Sequence, residues 1–100
     1  MVKVLVIAGR GFVGSAVVSR LGKHKVTTFD RHEGGAHHFR GSILDPKDVE
    51  EACKGQDVVI NLAGLSPLRP PKRQTYHQIH VEGTRNLIRA AKKAKVGRVI

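Results

Sequence analysis

Val4-Leu5-Val6-Ile7-Ala8-Gly9-Arg10-Gly11-Phe12-Val13-Gly14 is the stretch on which the fold turns. Val4 to Ala8 is apolar without alternation, and residues 3–8 read as a strand buried on both faces, as in a parallel sheet. Gly9 lets the chain leave that strand sharply, where a Cβ would clash. Gly11 keeps side-chain atoms away from backbone that a pyrophosphate must approach, and Gly14 lets the next helix pack close to the strand. Val13, Ala16, Val17 and Leu21 recur at helical spacing, so 12–22 reads as a helix stopped by Gly22. Its first turn offers free N–H groups and the positive end of the helix dipole to an anion.

A second apolar run, Val26-Thr27-Thr28-Phe29, makes 25–30 a strand that ends in Asp30. A carboxylate about 20 residues beyond the first glycine is where a dinucleotide-binding unit meets the adenosine ribose hydroxyls. The glycine spacing alone is a weak signal. Strand before, helix after and an acid closing the next strand make it specific, and a cluster of turn glycines in some other α/β protein explains less of the pattern.

The rest of the chain repeats the alternation. Arg31 to His38 is a polar loop with Gly34-Gly35, and His38 to Arg40 reads as a short third strand. Asp45-Pro46 starts a helix: the aspartate caps, the proline suits the first helical position, and Asp48 adds charge to the first turn. Val49, Ala52 and Cys53 form its apolar face and Gly55 ends it. Val58 to Leu62 is a fourth strand, followed by a proline-containing loop over 64–74 of the length that often carries function. A helix is expected from about Tyr76 to Lys95, with Ile79, Gly83, Leu87, Ala90, Ala91 and Ala94 on one side. Gly83 costs that helix about 1 kcal/mol relative to alanine, which close packing on the sheet would explain. Gly97 is expected to close it, before Arg98-Val99-Ile100 begins a fifth strand. The class is therefore α/β, a parallel sheet of Rossmann type with helices on both faces, expected to be truncated at that strand.

Composition bounds the rest. One hundred residues make one domain at most, and 40% hydrophobic content supplies a core with few aromatics, 4%. No run is long enough to span a bilayer, and nothing resembles a signal peptide. Cys53 has no partner for an internal disulfide and reads as a small buried hydrophobe. A cytoplasmic location is the default expectation. The net charge is +10, with cations gathered at Arg69, Lys72 and Arg73 and at Arg85, Arg89, Lys92, Lys93 and Lys95. A solvated helix face accounts for them better than nucleic acid, because no recognition helix or base-stacking aromatic signature accompanies the charge. His77 and His80 share a helix face and His37-His38 are adjacent, but no cysteine or carboxylate set completes a metal site.

The order of motifs resembles the short-chain dehydrogenase/reductase superfamily, in its extended or atypical branch, the NAD-dependent epimerase/dehydratase family. The resemblance rests on the Gly9–Gly14 turn, Asp30, Asn61-Leu62-Ala63-Gly64 and His80-Val81-Glu82-Gly83-Thr84-Arg85-Asn86-Leu87. It implies a dinucleotide cofactor and, in a full-length protein, oxidoreduction of a nucleotide sugar or a related alcohol or ketone. It places Gly9, Arg10, Gly11, Phe12, Val13 and Gly14 around the pyrophosphate, Asp30 and Arg31 at the adenosine ribose, and Ser42 and Ile43 beside the adenine. Leu62, Ala63 and Gly64 would border the cofactor at the end of the fourth strand.

The chain departs from the family pattern in places. The first glycines are spaced GxG rather than GxxG, Ser42 stands where an aspartate is usual, and His80 where an asparagine is common. Asp30 would repel a 2′-phosphate and favours NAD, whereas Arg10 and Arg31 could accept one and favour NADP. The balance leans to NAD. The family's catalytic Tyr-x-x-x-Lys pair is absent: Tyr76 is followed four residues later by His80, and it precedes the helix that should come before the catalytic segment. No catalytic residue is assigned, and residues 1–100 are expected to be the N-terminal, cofactor-binding part of a domain whose catalytic and substrate segments lie elsewhere. An open sheet edge would favour association, of which a homodimer is one form. Two alternatives remain. One is a non-catalytic NADP(H)-binding accessory or regulatory protein, similar to the accessory subunit of respiratory complex I. The other is an anion- or nucleic-acid-binding module.

Overall fold

The computed structural model describes residues 2–8, 12–22, 24–32, 34–35, 37–63 and 77–100, with Phe12 described by its backbone alone. In chain order these form β1 (Lys3–Ile7), α1 (Phe12–Arg20), β2 (Lys25–Asp30), β3 (His38–Arg40), α2 (Pro46–Cys53) and β4 (Val58–Asn61). A π-helical stretch, Gln78–Gly83, then leads into α3 (Thr84–Ala94), and β5 (Arg98–Val99) follows. The strands make one parallel sheet in the order β3-β2-β1-β4-β5.

β1 is the middle strand, and that explains its composition. Val4, Leu5, Val6 and Ile7 are each at most 4% exposed, while Lys3 reaches solvent at the strand's start. Alternation sorts the four by face. Leu5 and Ile7 join Phe29 and Val59 in a core closed by Val49, Ala52 and Cys53 of α2 and by Leu87 and Ala90 of α3. Val4 and Val6 are buried on the other face, and α1, whose Gly14 is buried, packs against β1. Phe29 and Phe39 stack with ring centroids 5.6 Å apart and tie the short β3 to β2.

α2 starts as its sequence dictates. Asp45 accepts hydrogen bonds from the N–H groups of Lys47 and Asp48, with Pro46 in the first turn. Gly55, at φ 75°, takes the left-handed conformation just past its end.

Some boundaries differ from expectation, beginning with β1, which stops at Ile7 and leaves Ala8 outside it at φ 64°. α1 stops at Arg20 because the Leu21 N–H bonds to the Val18 carbonyl, a tightened last turn. β4 stops at Asn61, whose Oδ1 accepts the Ala63 N–H and turns the chain out of the strand. In the helix expected from Tyr76, His77 is α-helical, Gln78–Gly83 widens into a π-helical stretch, and α-helix resumes at Thr84. Lys95, not Gly97, closes it: Lys95 takes φ 58° and the Val96 N–H reaches back to the Ala91 carbonyl at 2.9 Å. Gly97 serves the sheet instead, donating its N–H to the Asp57 carbonyl at 2.9 Å.

β1 is followed on one side by β2 and β3 and on the other by β4 and β5. The sheet therefore reverses direction of growth between β1 and β4, and the crevice outside the carboxyl ends of those strands is where ligands enter such sheets.

Candidate functional site

At that edge lies a cleft of about 210 Å³. Ile7 and Ala8 from the end of β1 and Phe29 from β2 form its floor. Asp30, Arg31 and His32 form one rim, the run Gly41 to Leu44 forms a wall, and Ala63 and Ile79 close the far side. The floor and far side are apolar and the charged groups sit on one rim, the usual division of labour in a small-molecule site.

The rim is the last residue of β2 and the two that follow it. The Asp30 Oδ1 accepts the N–H of His32 at 2.8 Å, a local turn typical of aspartate. Among the described residues no donor meets its Oδ2. The Asp30 carbonyl accepts the Gly41 N–H at 2.9 Å, so rim and wall are joined at that point.

The wall is fixed from behind by two helices. Asp48 of α2 accepts the Ser42 N–H at 3.1 Å. Asn86 of α3 donates its Nδ2 to the Ile43 carbonyl at 3.0 Å. The Ser42 hydroxyl accepts the Leu44 N–H at 3.1 Å, so serine performs the local turn bond that an aspartate would make here. Ala8 is held at φ 64°, an uncommon conformation for a residue with a Cβ, and donates its N–H to the Phe29 carbonyl at 2.7 Å.

Of the residues singled out in the sequence, the cleft brings together Asp30, Arg31, Ser42, Ile43 and Ala63. Val13 and Gly14, in the first turn of α1, and Leu62, which donates its N–H to the Ile7 carbonyl, do not line it. Val13 is exposed and Gly14 buried. Gly9, Arg10, Gly11 and Gly64 lie outside the described residues, as do the loop cations Arg69, Lys72 and Arg73 and the side chain of Phe12. His32, Gly41 and Ile79 line the cleft without having been singled out for it. Ile79 carried a signal, its place on the apolar side of the expected helix. His32 carried none, because only the register of β3 shows how the loop after Asp30 lies.

The described part of the cleft fits the adenosine end of a dinucleotide: apolar surfaces for a flat base, and one carboxylate oxygen open to ribose hydroxyls. The single thiol takes no part. Cys53 is fully buried in the core, and burial pushes its pKa up to about 11, the opposite of an activated nucleophile.

A model of the NAD dependent epimerase/dehydratase family matches residues 4–100. A 3-beta-hydroxysteroid dehydrogenase of Mycolicibacterium neoaurum is 35% identical over 98% of this chain and 31% of its own length. A UDP-N-acetyl-alpha-D-glucosaminuronate decarboxylase of Bacillus cytotoxicus is 30% identical over 91% of this chain and 33% of its own. A short-chain dehydrogenase/reductase superfamily protein from Agrobacterium tumefaciens, solved with bound NAD, matches with a TM-score of 0.85 and 33% identity. That match covers 97% of this chain and 31% of the solved one. The chain thus spans about a third of the length of these relatives.

Proposed function

The chain belongs to the NAD dependent epimerase/dehydratase family, and from that premise we propose that it forms the dinucleotide-binding part of an oxidoreductase. The observation that carries the proposal is the cleft at the carboxyl ends of β1 and β2, with Asp30 on its rim and one of its carboxylate oxygens unengaged among the described residues. Asp30 takes the adenosine ribose hydroxyls, with Arg31 beside it. Ser42 and Ile43 flank the adenine. Gly9, Arg10, Gly11, Phe12, Val13 and Gly14 receive the pyrophosphate at the start of α1, and Leu62, Ala63 and Gly64 border the cofactor past β4. NAD is preferred over NADP, because the Asp30 charge opposes a 2′-phosphate.

When bound, the nicotinamide supplies the hydride acceptor or donor. The residues of this chain bind and orient; none is assigned to proton transfer. The proposed substrate of the whole protein is a nucleotide sugar or a related alcohol or ketone. Support comes from relatives named for a UDP-sugar acid and for a hydroxysteroid, the latter within the broader class of secondary alcohols.

Calorimetric titration of the chain with NADH and NADPH, at low and moderate salt, tests this. Micromolar or tighter binding with NADH preferred is expected. No binding by a folded sample overturns it.

A further inference from the structure

Three successive carbonyl oxygens, from the last residue of β2 onward, are all held by groups from β3 and its end. The Asp30 carbonyl accepts the Gly41 N–H at 2.9 Å, the Arg31 carbonyl accepts the Arg40 Nε–H at 3.3 Å, and the His32 carbonyl meets the His38 Nε2 at 2.9 Å. A carbonyl can only accept, so His38 Nε2 carries a proton. Its Nδ1 lies within hydrogen-bond distance of the Thr28 hydroxyl, one position across the parallel register Thr28↔His38. His38 is thereby tied at both ring nitrogens, and it holds the loop rather than hanging from it. The same segment is closed on its other side by the His32 N–H bonding to Asp30 Oδ1 at 2.8 Å.

We propose that His38, assisted by Arg40, is a positioning residue that sets the preference between NADH and NADPH. The inference rests on the dinucleotide reading of the cleft. With the carbonyls of 30–32 drawn toward β3, the Asp30 side chain is kept in the arrangement that bonds His32 N–H through one oxygen and leaves the other for ribose hydroxyls. NADH gains from that fixed carboxylate. NADPH, whose 2′-phosphate is repelled by it, does not. Freeing the segment therefore costs NADH more than NADPH, and it lets the Arg31 and His32 side chains move relative to the ribose. Neither His38 nor Arg40 lines the cleft, so their effect passes through the backbone of 30–32.

The test compares NADH and NADPH affinities, with melting temperatures, for the wild-type chain, His38→Phe, His38→Gln and Arg40→Met. Phenylalanine keeps the ring volume and loses both bonds; glutamine retains a donor and an acceptor. The expected result is a fall of about fivefold to tenfold in the ratio of NADH to NADPH affinity for His38→Phe, the scale of one lost hydrogen bond. A smaller fall is expected for Arg40→Met, and substantial recovery of the ratio in His38→Gln. An unchanged ratio in folded His38→Phe and Arg40→Met, whether or not both affinities drop together, overturns the inference alone and leaves a structural role. If His38→Phe does not fold, Arg40→Met decides the matter by the same ratio. Failure of the wild-type chain to bind either dinucleotide overturns the functional reading and this inference with it.

Discussion

Gly83 is pressed against Ile43: a Cβ at Gly83 would lie 3.0 Å from Cγ2 and 3.3 Å from Cγ1 of that isoleucine. Alanine there would gain about 1 kcal/mol of helix propensity. The opposing cost is overpacking, about 1–3 kcal/mol where the neighbour cannot give. Ile43 is 6% exposed and its carbonyl is held by Asn86, so its easiest escape is toward the cleft it lines. Gly83→Ala is therefore expected to lower the melting temperature by several degrees, about 1 kcal/mol net for a domain of this size, and to weaken NADH several-fold. A rise in melting temperature with unchanged NADH affinity would show that Ile43 repacks without cost.

The Gly83 contact also marks the limit of what the sequence could reveal. The unbroken apolar run at Val4–Ile7, the cap at Asp45-Pro46 and the acid at Asp30 are local signals, and each element they predict is present. The helical side of Gly83 was legible too. Its neighbour was not, because Ile43 comes from a different connection and meets Gly83 only after α2 and α3 pack on the sheet. The same holds for Asp48 and Asn86, which look like ordinary helix residues until they are seen holding the Ser42 N–H and the Ile43 carbonyl. The π-helical turn at 78–83 changes the hydrogen-bond ladder without changing the apolar spacing, so periodicity could not separate it from α-helix.

Asp45 supplies the one acceptor for two backbone donors at the start of α2, Lys47 N–H at 2.9 Å and Asp48 N–H at 3.5 Å. Asp45→Ala should destabilise the fold by about 1 kcal/mol, read as a lower urea midpoint with an unchanged slope. Asp45→Asn keeps the oxygen and should recover most of that loss. Because α2 also positions Asp48 behind Ser42, a modest loss of dinucleotide affinity should accompany the alanine variant.

Cys53 links stability to alkaline pH. Its pKa is raised from 9.0 to about 11 in the folded chain by burial. The thiol stays neutral when folded, while the unfolded chain ionises from about pH 9 upward. Its contribution is therefore intact below pH 9 and lost between pH 9 and 11, on the order of 2–3 kcal/mol in total. Urea midpoints of wild type should fall more steeply across that window than those of Cys53→Ala, although the alanine variant starts lower because it leaves a cavity. Parallel curves would disprove the linkage. The native thiol should also resist alkylation at pH 8 and react once the chain is unfolded.

Asp30 allows charge and shape to be separated. Asparagine at this position keeps an oxygen that can accept the His32 N–H, so the turn after β2 should survive. What disappears is the negative charge beside the proposed ribose position. A 2′-phosphate brings nearly two negative charges close to that point, and repulsion of about 1.4 kcal/mol or more, even in a water-like dielectric, corresponds to tenfold in affinity. Asp30→Asn should therefore tighten NADPH about tenfold at low salt, with the gain shrinking as ionic strength rises. NADH should weaken by a similar factor, because a neutral amide accepts less strongly from ribose hydroxyls than a carboxylate does. The melting temperature should move little. If both dinucleotides bind Asp30→Asn as they bind wild type, Asp30 is not at the ribose, and the cleft holds its ligand in some other orientation.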